Sequence, residues 1–183
     1  MAQEIDQETG FSLSSPDFEP GDQVPTRLTC AGGTEIPSLK WQNTPADAEE
    51  LVVALIDYTD FNEPLLLWLA AGIDPKSNKI NPETYQDLES IVETKNDWGN
   101  IGFGSPCLES IESDDPDTIR DLQFRVYALA TKSNIQPAAH GNDSWAEVKA
   151  KATHSAAILM RYDANFDNQL EEFDQIPEEI IEE

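Results

Sequence analysis

Basic residues are scarce in this chain. Eleven Lys and Arg stand against 36 Asp and Glu, for a net charge of −25. Binding to a phosphate backbone rests on Lys and Arg, so nucleic acid is excluded as a partner. An anionic membrane surface would repel the domain as a whole. Long hydrophobic runs are also missing. None approaches the ~20 residues that a membrane-spanning helix needs, so an integral membrane protein is not expected. The opening Met1-Ala2-Gln3-Glu4-Ile5-Asp6 has neither a basic stretch nor an apolar one, and it does not read as an intact secretory signal.

Histidine and cysteine number only two each. No Cys-x-x-Cys pair and no nearby His accompany Cys30 or Cys107, which leaves no zinc-site spacing. The chain has no Gly-x-Ser-x-Gly elbow and no phosphate loop. His140 falls in a turn, Ala138-Ala139-His140-Gly141, and His154 on an expected helix; both read as surface or packed histidines. Carboxylates are so abundant that any two can be imagined as an acid–base pair, so none is nominated for hydrolysis. These gaps argue for binding rather than catalysis.

What is present describes one domain with a tail. The chain, 183 residues long, can bury a real core. Short apolar runs alternate with stretches rich in Pro and Gly, the texture of an all-β or β-rich α+β domain. Residues 1–10 are polar and expected to be loose. Leu51–Asp57 reads as a buried strand, short, apolar and β-branched, and 65–71 as another. Residues 58–64 form a loop between them, and 74–98 are turn-rich. Asn81-Pro82-Glu83 suits the cap of a short helix. Residues 122–129 make a further strand. Ser144-Trp145-Ala146-Glu147 is a capping-box pattern, and Trp145, Val148, Ala152, Ala156 and Leu159 recur behind it at helical spacing. That spacing predicts one late helix. Asn142-Asp143-Ser144 is a formal glycosylation sequon to which little weight attaches.

From Asp163 onward the chain carries nine acids and no base, and 163–183 reads as an acidic tail. Within it, 163–174 approximates a twelve-residue calcium loop. Asp163, Asn165, Asp167 and Asp174 would supply the oxygens at positions one, three, five and twelve. Asn168 stands where a Gly is usual, and Asp174 where a longer Glu is usual. The alternative is a solvated charge run. No other cofactor is implied.

Several segments together resemble the phosphatidylethanolamine-binding protein family, in its bacterial, Raf kinase inhibitor-like branch. They are Phe11-Ser12-Leu13-Ser14-Ser15-Pro16-Asp17-Phe18, Val24-Pro25-Thr26-Arg27-Leu28-Thr29-Cys30-Ala31-Gly32 and Pro37-Ser38-Leu39-Lys40-Trp41. Asn96-Asp97-Trp98-Gly99, Gly102-Phe103-Gly104-Ser105-Pro106-Cys107 and Tyr127-Ala128-Leu129 complete the set. Order and spacing hold over roughly 10–162, so the domain is placed at 11–162. The resemblance implies a large antiparallel sheet packed on a smaller one, with few helices. It also implies a small anion-binding pocket at one end of the sheet, which this chain has altered. Tyr58 stands where the first motif Asp is expected, while Asp60 keeps the second. Leu67, before Trp68, replaces a pocket His, and Arg120-Asp121-Leu122 replaces His-Arg-Tyr.

A phosphate-sized anion needs donors aimed at it. Leu67 provides none. Arg120 provides a permanent charge and a planar fork, or else pairs with a nearby acid. On this resemblance Asp60 and Trp68 would shape the site, Gly104 and Pro106 would form its rim, and Arg120 would supply charge. The resemblance also places Cys30 and Cys107 near the pocket end. A disulfide between them is the preferred reading over two free thiols, and it points to an extracytoplasmic, periplasmic or secreted location over a cytoplasmic one. The expected partner is a small anionic ligand, phosphate or a phospholipid headgroup. The alternative is a protein, with the pocket vestigial and the domain inhibiting a protease or kinase. A homodimer is one candidate assembly.

Overall fold

Every residue of Glu50–Asp57 is buried, and its side chains alternate between two different cores. Leu51, Val53 and Leu55 face one, Val52, Ala54 and Ile56 the other. A strand covered on both faces reads as a continuous apolar run, and this one sets the layering of the molecule. The computed structural model describes residues 3–33, 35–60, 62–85, 90–107 and 119–163.

The strands are β1 (Gln3–Glu4), β2 (Ser12–Ser14), β3 (Leu39–Gln42), β4 (Glu50–Asp57), β5 (Leu65–Ile73), β6 (Lys79–Ile80), β7 (Val92–Glu93), β8 (Ile119–Leu129) and β9 (Ala152–Asp163). The α-helices among the described residues are α1 (Pro82–Tyr85) and α2 (Gly141–Lys151). A six-stranded sheet runs β1-β9-β8-β4-β5-β7 and a three-stranded one β2-β3-β6, all pairs antiparallel. The larger core lies between the sheets: Phe11, Leu13 and Trp41 of the small-sheet side meet Phe124, Ile158 and Met160. On the far face of the large sheet, Trp145 and Val148 of α2 cover Val52, Ala54 and Ile56. This is the mainly β architecture, two antiparallel sheets and few helices, that the sequence implied. Among the described residues no helix is long and apolar enough to cross a membrane.

The late helix is shorter than its spacing predicts. It ends at Lys151, and Ala152 opens β9, which pairs with β8 from Leu129↔Ala152 to Ile119↔Asp163. The apolar run Ala156–Met160 satisfies helical and extended spacing alike, and tertiary pairing decides between them. Ala156, Ile158, Met160 and Tyr162 then fall on the core face at period two. The capping box is not used either. His140 holds the N-cap position, and the Ser144 hydroxyl donates to the His140 carbonyl at 2.9 Å. The helix opens at Gly141, where a Cβ would lie 2.1 Å from the Lys95 carbonyl oxygen, so this close approach requires glycine. The short helix behind Asn81 is formed, with Asn81 Oδ1 accepting from the Thr84 N–H at 2.8 Å.

The first ten residues take part in the fold where they are described. Gln3 and Glu4 pair with Ile158 and Ala157. Glu4 holds Arg125 through two bonds of 3.0 and 2.6 Å. Asp6 accepts the Thr9 N–H and contacts His154 Nδ1 at 2.9 Å, and these bonds hold its carboxyl down at about 2. Cys30 and Cys107 are joined in a disulfide.

Candidate functional site

Two strands of the large sheet end side by side with charged residues. Asp57 closes β4 and pairs in register with Leu65 on one side and Leu122 on the other. Arg120, two residues before Leu122 on β8, shares its face and pairs with Tyr162. These side chains, with Leu67, Trp98, Pro106 and Cys107, enclose a cavity of about 70 Å³.

A bulge builds one wall. Leu55 lies opposite Trp68 and Ile56 opposite Leu66, so Leu67 is the extra residue. Both Leu67 and Trp68 therefore meet the same core, and the Leu67 carbonyl turns to accept the Gly104 N–H at 2.8 Å. A Cβ at Gly104 would approach that carbonyl to 2.7 Å and Asn96 Nδ2 to 2.8 Å, so the close approach requires glycine. Buried Asn96 shapes the next loop. Its Oδ1 accepts the N–H groups of Trp98 and Asn100, both at 3.1 Å, and its Nδ2 donates to the Gly102 carbonyl at 3.2 Å. Trp98 lines the cavity and is left 43% exposed. The disulfide pins the rim, with the Cys30 N–H donating to the Pro106 carbonyl at 3.3 Å.

The electrostatic centre is Asp57 with Arg120. Asp57 is buried, and its Oδ1 accepts the Thr59 N–H at 2.9 Å. Its Oδ2 lies 3.6 Å from Arg120 Nη1. That is longer than the ~2.7–2.9 Å of a charge-assisted hydrogen bond. Arg120 Nε is buried and has no hydrogen-bond partner among the described residues. The Arg120 side chain lines the cavity and is about a third exposed, so a permanent cation there can receive an acceptor.

Arg120 and Pro106 thus line the cavity, and Gly104 packs behind it against Leu67 and Trp98. Leu67, which the family resemblance sets where a pocket His is expected, lies in the wall. Asp60 and Trp68 are not among the lining residues. Asp60 sits in the exposed loop after β4, accepting the Asn62 N–H at 2.8 Å. Trp68 is fully buried; its indole N–H donates to Glu93 Oε1 at 3.1 Å, and its ring meets Phe103 edge-on. The bulge aims it along the core, past the cavity. Tyr58 turns to the other face, half-buried against Trp145, where burial pushes its hydroxyl pKa up. Sequence reasoning gave no site role to Asp57, Trp98, Leu122 or Tyr162. Asp57 had a signal, an acid closing an otherwise apolar strand; Leu122 follows Arg120 at period two. Trp98 and Tyr162 reach the site only through tertiary structure.

Of the suggested calcium loop, Asp163 is described: its N–H donates to Gln23 Oε1 at 3.1 Å as β9 ends. Asn165, Asp167 and Asp174 lie outside the described residues. Among the described residues no three His, Cys, Asp or Glu side chains are grouped to hold a metal ion. A larger open groove, about 490 Å³, lies at the other end of the sheet beside Glu50. Its buried carboxylate is already committed, accepting from Gly72 N–H, Ser133 N–H and Ser133 Oγ at 2.7–2.9 Å.

The family model described as phosphatidylethanolamine-binding protein matches residues 14–163. A UPF0098 protein of Methanothermobacter thermautotrophicus is 25% identical over 155 residues, 83% of this chain and 98% of the relative. A UPF0098 protein of Aquifex aeolicus is 22% identical over 83% of this chain and 88% of its own length. Among solved structures, E. coli YbcL, described as a new member of the mammalian PEBP family, is 24% identical with a TM-score of 0.73. It covers 84% of this chain and 98% of that one. The homolog CT736 from Chlamydia trachomatis is 19% identical with a TM-score of 0.69, covering 85% of this chain and 99% of that one. Both structural likenesses speak to the fold.

Proposed function

As this chain belongs to the phosphatidylethanolamine-binding protein family, we propose that it is a non-enzymatic binding protein whose diverged pocket receives a small anionic group at Arg120. Phosphate and a phospholipid headgroup are the groups that the family name suggests. The observation that supports the reading is the Arg120 guanidinium, a permanent cation that lines a walled cavity, is about a third exposed and is held by Asp57 only through a long contact of 3.6 Å. Arg120 supplies the charge and the planar fork. Gly104 and Pro106 fix the rim, and Leu67 and Leu122 exclude water. Asp57 competes with the ligand for the guanidinium, so affinity is modest and an incoming anion must outbid a contact of 3.6 Å. The disulfide supports an oxidising location outside the cytoplasm.

Calorimetric titration with inorganic phosphate and with acetate tests the reading. Saturable binding of either anion, lost in Arg120→Ala, is expected. Absence of binding, or binding that survives the substitution, refutes it. A second reading, inhibition of a protease or kinase with the pocket vestigial, draws on Trp98 and Ile101, which expose 43% and 58% of their surface on one loop. It predicts partner binding that Arg120→Ala leaves intact and Trp98→Ala weakens.

A further inference from the structure

We infer that the cavity selects a singly charged carboxylate with a short apolar tail over phosphate, and that Asp57 is the residue that sets this preference. The inference rests on the anion reading of Arg120 and narrows it to a ligand class.

The charge balance comes first. Asp57 and Arg120 cancel before any ligand arrives. A monoanion leaves the site with one net negative charge, and a dianion leaves it with two, beside a buried carboxylate in a molecule of net charge −25. Like charges close together in a partly dry site repel strongly, and the second charge on phosphate meets that repulsion without a second cation to offset it. Among the described lining residues Arg120 is the one base.

Donor geometry points the same way. Trp98 and Tyr162 add a neutral indole N–H and a phenol hydroxyl to the lining, while Leu65, Leu67, Pro106, Leu122 and the Cys107 disulfide bring no N–H or O–H side-chain donor, so Arg120 is the one charged donor among the described lining residues. A phosphate group, with three or more oxygens spread tetrahedrally, needs donors from several directions. One guanidinium edge offers a planar fork, which matches the two coplanar oxygens of a carboxylate. Shape then supplies the tail. About 70 Å³ admits the carboxylate and a few carbons. Leu65, Leu67, Pro106 and Leu122 make much of the remaining lining apolar, with Leu65 and Trp98 half-exposed, and a short alkyl chain against them would be sheltered from water.

The experiment compares acetate, butyrate and inorganic phosphate by calorimetry at constant ionic strength and about pH 8, where a phosphate monoanion has largely given up its next proton. Trp98 fluorescence serves as a second readout. Butyrate should bind more tightly than acetate, by roughly fourfold for each methylene that the walls bury. It should also bind more tightly than phosphate, and Arg120→Ala should abolish all three. In Asp57→Asn, phosphate should gain by a larger factor than butyrate, which narrows or reverses the preference. If phosphate binds the unaltered protein most tightly, or butyrate binds no better than acetate, while Arg120→Ala still abolishes binding, the carboxylate inference is overturned and the anion site stands. If no anion binds in an Arg120-dependent way, both fall. The comparison on the unaltered protein decides the ligand class even if Asp57→Asn fails to fold.

Discussion

Replacing Cys30 and Cys107 together by alanine should destabilise the domain by ~4 kcal/mol, almost wholly through the unfolded chain. The two cysteines are 77 positions apart. Loop-closure entropy for a ring of that size amounts to ~4.5 kcal/mol at 25 °C. The folded state loses little in packing, because Cys30 is exposed and Cys107 only half-buried. The Cys30 N–H bond to the Pro106 carbonyl, at 3.3 Å, is a backbone bond that alanine retains. Against a typical domain stability of ~5–15 kcal/mol the loss is large. Urea unfolding followed by Trp fluorescence measures it. The midpoint should fall and the slope m should rise, since the uncrosslinked chain exposes more surface when it unfolds. A loss below about 1 kcal/mol at unchanged m would refute the reasoning, because it would mean that the unfolded chain is just as compact without the bond.

Three further outcomes are expected. Leu67→His puts an imidazole in the cavity wall, so phosphate affinity should rise below pH ~6.5, where the ring is charged; titrations at two pH values either show that rise or remove Leu67 from the site. Glu50→Ala strands the N–H groups of Gly72 and Ser133 and the Ser133 hydroxyl, and chemical denaturation should register a loss of about 3 kcal/mol; a loss under ~1 kcal/mol would mean that water replaces the carboxylate. Asp6, with its pKa lowered from 3.8 to about 2 by the Thr9 N–H and then by His154, contributes stability that is present above pH 3.8 and disappears as pH falls through 2. Asp6→Ala should therefore flatten the acid limb of stability across that window, and an unchanged limb would show that the bonds are not kept in solution.

The centre of the fold was legible because its residues admit one reading. Leu51–Ile56 is too short and too apolar for anything but a strand buried on both faces, and β5 and β8 follow the same logic. The end of the chain was not, because Ala152–Leu159 fits helix and strand alike and only the partner strand β8 decides. The site divides in the same way. Arg120 and Pro106 could be placed through the family resemblance, since that resemblance aligns whole segments. Trp68 could not, because a one-residue bulge changes the direction of side chains around it without leaving any mark in composition. The Asp57–Arg120 contact joins strands 63 positions apart, a pairing that follows from register and not from any local pattern.

The bulge at Leu67 also bears on how such a pocket can diversify. In a regular strand, neighbouring residues serve opposite faces, and every position on one face answers to the same packing demands. The extra residue lets two neighbours meet one face with separate duties: Trp68 anchors the interior through Glu93, while Leu67 looks into the cavity. A mutation at 67 can therefore change the cavity wall while the anchor beside it, and the alignment of β4 with β5, stay as they are. Loss of the extra residue would do the reverse, shifting the phase of the strand on one side of it and exchanging inward for outward side chains there. The bulge behaves as a joint between a packed frame and a cavity wall, so that a single substitution at the wall need not disturb the frame.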